Sequence, residues 1–92
     1  MDRAWRMAIK ILSLQEKLGR SVTASEILDA IRVYKILDIE TMYYERNLMT
    51  LFDLGIIGTD WENIDGKWYR TYYICDDCIN LVRKVRDKDL RV

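Results

Sequence analysis

The sequence contains no histidine and no proline, and its 15 basic and 15 acidic residues leave a formal net charge of zero. Without histidine the chain lacks the commonest general base, the commonest metal ligand and the usual switch near neutral pH. Phosphate neutralisation supplies most non-specific affinity for nucleic acid, so a neutral chain can bind DNA only if its charges are favourably placed. Charge placement therefore matters more here than total charge.

The arrangements that usually carry catalysis are also missing. No serine or cysteine can pair with a histidine, no glycine-rich loop is suited to hold phosphates, and no paired carboxylates stand in an evident pocket. The chain is therefore predicted not to be an enzyme and to need no cofactor or metal ion.

Long apolar runs are absent as well. No uncharged stretch approaches the roughly 18 apolar residues of a membrane span, and Asp2, Arg3 and Arg6 interrupt the apolar residues near the start of the chain. These features predict a soluble cytoplasmic protein with no membrane partner and no signal peptide. The 92 residues, half of them hydrophobic, predict a single domain over 1–92.

The first predicted helix runs from Asp2 to Leu18 and ends at Gly19, a favourable C-terminal capping residue. At 100° per residue its apolar side chains cover roughly 220°, about twice the stripe of a surface helix. A chain of this length buries only about 60 to 65% of its unfolded surface. We therefore expect a homodimer formed through the first and last helices; the alternative is a first helix surrounded by its own small core.

Two further helices are predicted to begin in the first half of the chain. Thr23 and Glu26 have the spacing of a capping box, which starts a second helix that should end near Tyr34 or Lys35. Asp38 and Thr41 are both candidate N-caps for a third helix. The turn between these helices contains no glycine, so its length is not fixed by the sequence.

The stretch from Ile39 to Gly58 is the one around which the chain is organised. Apolar residues at helical spacing predict the buried face of the third helix, which Gly55 then ends. These residues are Tyr44, Leu48, Leu51 and Phe52. Asp65-Gly66 is a strong hairpin signal between two strand-like runs. Alternation along the second run places Tyr72 and Ile74 in the core.

A last helix is predicted to open at Cys75-Asp76-Asp77 and to end in a basic segment. Cys78, Leu81, Val82 and Val85 should share one side of this helix. The predicted fold class is thus α+β, with three helices followed by a β-hairpin and a C-terminal helix.

At Tyr44, Leu48, Leu51 and Gly55-Ile56-Ile57 the sequence resembles the winged helix-turn-helix family, particularly the small MarR-like and PadR-like regulators, including those of archaea and their viruses. In that family the wing commonly runs into Tyr-x-Leu-Thr-x-x-Gly before a C-terminal helix. The segment from Tyr72 to Cys78 has a similar layout, but cysteine stands at the threonine and glycine places. The resemblance covers the order of elements over nearly the whole chain and the sequence motif over about a third.

The resemblance implies a homodimeric, sequence-specific regulator of transcription that binds double-stranded DNA, with the third helix in the major groove and the hairpin on the backbone. The implied DNA-binding residues on the solvent side of the helix and on the hairpin are Thr41, Met42, Tyr43, Arg46, Asn47, Thr50, Lys67 and Arg70. Acids at Glu40, Glu45 and Asp53 act against phosphate binding. The alternative is a winged helix that binds protein in a transcription complex or in a viral or archaeal assembly.

Cys75 and Cys78 have the spacing of a redox pair or of half a zinc site. No histidine and no second cysteine pair completes a metal site within one chain. A disulfide or two inert thiols rank first, a redox switch second and a metal site third. Intracellular disulfides are rare outside hyperthermophilic archaea.

Overall fold

A computed structural model of the chain describes residues 3–32 and 43–90, with side chains over 3–31 and 43–88. Within these ranges the elements are α1 (Arg3–Leu18), β1 (Val22–Thr23), α2 (Ala24–Arg32), α3 (Tyr44–Asp53), β2 (Ile57–Ile64), β3 (Lys67–Ile74), a 3₁₀ turn (Asp76–Cys78) and α4 (Ile79–Leu90). The described residues thus contain four helices and one three-stranded antiparallel sheet of order β1-β3-β2. The helices and the hairpin follow the predicted order, and the α+β class is confirmed.

Helix α1 lies at the centre of the core. It buries Ala4, Met7, Ala8, Ile11 and Leu12. The helix ends where predicted, because Gly19 has φ 70° and its N–H donates to the carbonyl of Gln15 at 2.9 Å. The other core residues come from every remaining helix and strand and include Val22, Ile27, Leu48, Leu51, Ile57, Ile74 and Val82.

The start of α2 is a reciprocal capping box. The Glu26 N–H donates to Oγ1 of Thr23 at 3.2 Å, and the Thr23 N–H donates to Oε1 of Glu26 at 2.9 Å. Arg20 adds a bidentate pair that the sequence did not suggest, with bonds of 2.9 and 2.8 Å to the two carboxylate oxygens of Glu26. Thr23 also belongs to the short strand β1, which pairs with β3 and was not predicted.

Helix α3 begins at Tyr44, and its N-cap residue is Tyr43, which makes no side-chain capping bond. The predicted caps Asp38 and Thr41, the turn before them and the predicted end of α2 lie outside the described residues. The other end is a Schellman motif: Gly55 has φ 70°, its N–H donates to the Phe52 carbonyl, and the Ile56 N–H donates to the Leu51 carbonyl. Gly55 thus ends the helix as predicted.

Strands β2 and β3 form the predicted hairpin, paired from Ile57 opposite Ile74 to Ile64 opposite Lys67. Asp65 and Gly66 both have positive φ, 53° and 87°, which is the geometry of a two-residue type I′ turn. Tyr72 is half-buried and Ile74 fully buried, as expected.

The last helix departs from its prediction in two respects. A 3₁₀ turn at Asp76–Cys78 precedes α4, which begins only at Ile79. Val82 is fully buried, but Leu81, expected on the packed side, is 49% exposed. Adjacent helical residues point about 100° apart, so the two cannot both face a narrow contact. Glu16 of α1 holds α4 through ion pairs with Arg83 and Arg86 at 3.8 and 3.2 Å.

Candidate nucleic-acid interface

The side of α3 that faces away from the core carries Arg46, Met49 and Asp53, all exposed. Thr50 is half-buried, and its hydroxyl donates to the Arg46 carbonyl at 2.9 Å, a bond within the helix. Of the described residues predicted to contact DNA from this helix, Arg46 is therefore the one that is both exposed and charged. Thr41 and Met42 lie outside the described residues.

Asn47 was expected on this exposed side, and that expectation is wrong. It is 7% exposed, and its Nδ2 has no hydrogen-bond partner within the described part of the chain. The reason is its spacing: Asn47 precedes the fully buried Leu51 by four residues, so both lie on one face of the helix. Asn47 therefore cannot reach a base edge from its observed position.

Tyr43 lies half-buried at the start of α3 and is in contact with two arginines. Cζ of Arg3 lies 4.9 Å and Cζ of Arg46 5.7 Å from the centroid of the Tyr43 ring. Both distances fall within the roughly 6 Å range of a cation–π contact. The contact between Arg3 and Tyr43 could not be predicted from the sequence, because the two residues are far apart along the chain.

The hairpin presents both predicted basic residues, Lys67 and Arg70, to solvent. Arg70 stands opposite Trp61, with Cζ 5.6 Å from the tryptophan ring centroid. Trp61 is 57% and Trp68 68% exposed. Register places these three side chains on one face of the hairpin. Alternation along β3 already predicts Trp68 and Arg70 on the same face as Tyr72 and Ile74. Trp61 joins them through the pairing of β2 with β3, which periodicity in one strand does not reveal.

A groove of about 420 Å³ separates α3 from this face of the hairpin. Its helix wall consists of Glu45, Leu48, Met49 and Phe52, and its hairpin wall of Thr59, Arg70 and Tyr72. Phe52 and Tyr72 meet edge to face at 6.0 Å and so fix the distance between the two walls. Nearby, burial raises the pKa of Tyr44 to about 12, so its hydroxyl stays protonated.

The charge of this region is slightly negative. Residues 43–74 contain three basic side chains, Arg46, Lys67 and Arg70, against five acidic ones. Only the basic groups suit contact with phosphate, and the acidic groups reduce the affinity of this region for nucleic acid. Any nucleic-acid contact must therefore depend on a few well-placed cations rather than on a broad positive field.

The two cysteines are free thiols in this structure and lie beneath the end of α3. The Cys75 N–H donates to the Ile56 carbonyl at 2.9 Å, and Sγ of Cys78 donates to the Gly55 carbonyl at 3.7 Å. Burial raises the pKa of Cys75, and Cys78 and the two adjacent aspartates act in the same direction. The arrangement therefore disfavours a reactive thiolate at Cys75; the disulfide stays a prediction.

Two kinds of feature are absent from the described residues. They contain no cluster of three or more histidine, cysteine or acidic residues placed to bind a metal ion. None of their helices has both the length and the apolar character that crossing a membrane requires.

No protein-family model matches the chain, and no curated protein matches it. Among solved structures it is similar to a protein from Thermoplasma acidophilum that is described as a proposed transcriptional regulator. The identity is 18% and the TM-score 0.49, with 98% of this chain and 95% of that chain covered.

Proposed function

We propose that residues 1–92 form a single winged helix-turn-helix domain that binds double-stranded DNA and regulates transcription in the cytoplasm. One observation carries the proposal: the exposed side of α3 and the exposed face of the β2–β3 hairpin flank one groove. This is the arrangement in which a helix enters the major groove while a wing lies on the adjacent backbone.

The described residues divide into two roles. Arg46 projects from α3 and suits bidentate contact with the O6 and N7 atoms of a guanine. Lys67 and Arg70 project from the hairpin and suit phosphate oxygens. Thr50 is a weaker candidate because its hydroxyl already donates to the helix backbone. Thr41, Met42 and Tyr43 remain predicted contacts at the start of the helix.

The test replaces one residue of each role. Arg46→Ala should weaken binding to a preferred duplex by about 1 to 3 kcal/mol and relax its specificity, whereas Lys67→Ala should weaken binding to all sequences alike. The measurement is a gel-shift titration at low salt, with a preferred duplex selected from a random library by the wild-type protein and a scrambled duplex as control. If neither substitution changes retention of either duplex, the docking arrangement is wrong.

The proposal includes a homodimer formed through α1 and α4. These helices pack on each other through the Glu16 ion pairs, and each also exposes a leucine, Leu18 at 39% and Leu81 at 49%. Burying such side chains against a second copy would remove apolar surface from water. A sedimentation-equilibrium mass of twice 11.0 kDa would support the dimer, and a mass of 11.0 kDa at micromolar concentration would exclude it.

A second candidate function is binding of a protein partner through the same groove. It is favoured by the excess of acids over bases in residues 43–74 and by the exposure of Trp61, Trp68 and Met49. Tryptophan and arginine are the residues most often found at the energetic centre of protein interfaces. Chromatography on DNA at two salt concentrations separates the candidates, since only a DNA-binding protein should elute later at the lower salt.

A further inference from the structure

The start of α3 holds a compact positive site built from two distant parts of the chain. Arg3 is the first residue of α1, Tyr43 is the N-cap of α3, and Arg46 lies in the first turn of α3. Both guanidinium groups are in contact with the single Tyr43 ring, at 4.9 and 5.7 Å from its centroid. The Tyr43 ring therefore holds the guanidinium group of Arg3, from α1, near that of Arg46, which α3 presents to solvent.

No acid neutralises this site within the described residues. Neither arginine forms an ion pair with a described carboxylate, whereas Arg20, Arg83 and Arg86 all do. Glu45, the acid next to Arg46 in sequence, lines the groove between α3 and the hairpin. Tyr43, Arg3 and Arg46 do not line that groove. Two like charges near one ring repel each other, and an anion placed between them would relieve that repulsion.

We propose that Arg3 contacts a phosphodiester of the DNA backbone, next to the base edge that Arg46 reads, and that Tyr43 positions both guanidinium groups. This inference rests on the proposed DNA-binding function and adds to it a contact from α1. A guanidinium presents two parallel N–H donors that match two phosphate oxygens. Stacking on the ring restricts the long side chain before binding, which reduces the entropy lost when the contact forms.

The experiment uses fluorescence anisotropy with the full chain, a duplex selected by the wild-type protein and a scrambled duplex. Binding is measured from roughly 50 to 200 mM salt, because each neutralised phosphate contributes about 0.9 to the slope of log K against log salt concentration. Arg3→Gln should lower the magnitude of that slope by about 0.9 per bound protomer on both duplexes. The ratio of affinities between the two duplexes should not change.

Tyr43 gives a second readout. Tyr43→Phe keeps the ring that holds both guanidinium groups, so it should retain the salt slope of the wild type, and any loss of affinity would measure a contact made by the hydroxyl alone. Tyr43→Leu removes the ring, so it should lower the slope as Arg3→Gln does and also reduce the affinity ratio, because Arg46 loses its support. Lys84→Gln, an exposed change of equal charge on α4, is the matched control and should leave both quantities unchanged. Circular dichroism melting of every variant identifies any that fail to fold.

The outcomes separate this inference from the function on which it rests. If the wild-type protein binds neither duplex, both fail. If it binds, and Arg3→Gln matches Lys84→Gln in slope, the Arg3 contact is wrong while DNA binding stands. Pyrophosphate carries the same oxygens as the backbone, so it tests whether a free phosphate compound is the ligand of this site. Binding of pyrophosphate to the DNA-free wild type that Arg3→Gln abolishes, together with an unchanged salt slope of Arg3→Gln on DNA, would assign the site to a free phosphate compound and overturn the backbone contact.

Discussion

The stability of the β1–α2 corner should depend on pH through Glu26, and Glu26→Gln tests this. The Glu26 carboxylate accepts two bonds from Arg20, and it also takes part in the capping box with Thr23. The hydrogen bond from Arg20 is the main reason that the pKa of Glu26 falls from 4.5 to about 2. Glutamine keeps a carbonyl oxygen for the capping bond and removes the charge, so the substitution isolates the ion pair.

The expected magnitude follows from this pKa. One unit corresponds to about 1.36 kcal/mol, so the shift sets an upper bound of about 3 kcal/mol on the stabilisation. The Glu26 side chain is 27% exposed and that of Arg20 26%, so solvent screens part of the interaction. We therefore expect Glu26→Gln to lower the free energy of unfolding by about 1 to 2 kcal/mol at pH 7.

The sign of the pH dependence is fixed because the folded state lowers the pKa of an acid. The stabilisation is complete above the unfolded pKa near 4.5 and is lost as the pH falls toward the folded value of about 2. Urea unfolding of wild type and Glu26→Gln from neutral to acidic pH should show a difference that shrinks across this window. Glu16→Gln, which breaks more exposed pairs, is the control and should cost under about 1 kcal/mol. A difference that stays constant with pH would refute the reasoning.

Two further predictions concern single positions, Gly58 and Asn47. Gly58→Ala should lower the free energy of unfolding by about 1 to 3 kcal/mol, because a Cβ there would lie 2.6 Å from Cζ of the Tyr73 ring. Urea unfolding should show that most of this cost disappears when Tyr73 is replaced by leucine. An equal cost in both backgrounds would contradict the clash. Asn47→Leu should leave stability within about 1 kcal/mol of wild type or raise it, because it removes a buried amide without a described partner. Asn47→Leu should also leave DNA affinity unchanged. A loss of affinity in a folded variant would support the base contact first predicted for Asn47.

Features that depend on neighbouring residues were predictable from the sequence. The capping box joins Thr23 and Glu26, three residues apart, and the type I′ turn needs only Asp65 and Gly66. The same holds for Gly55, whose positive φ closes the Schellman motif. In each case the chemistry of a few adjacent residues fixes the backbone, so tertiary contacts had little to change.

Features that depend on distant residues were not predictable. Strand β1 is only two residues long and exists because Val22 and Thr23 pair with Tyr72 and Thr71. The contact between Arg3 and Tyr43 likewise joins segments separated by most of α1 and all of α2. Asn47 was mispredicted for another reason. Periodicity identified the apolar side chains on the buried face of α3, but the folded chain also buries the polar Asn47 beside them.

Because the chain has no net charge, its affinity for DNA depends on how many phosphates a few cationic side chains contact. Lys67 and Arg70 alone would give a protomer a salt slope of about −1.8, too shallow for strong binding at physiological ionic strength. An Arg3 contact raises the magnitude to about 2.7, and two protomers on one duplex raise it to about 5.4. Arg46 adds discrimination among bases rather than general affinity. By this arithmetic, strong binding at physiological ionic strength needs both the contact from α1 and the dimer. A measured slope near −1.8 in a protein that still binds tightly would show that its affinity comes from another source, such as stacking by Trp61 and Trp68.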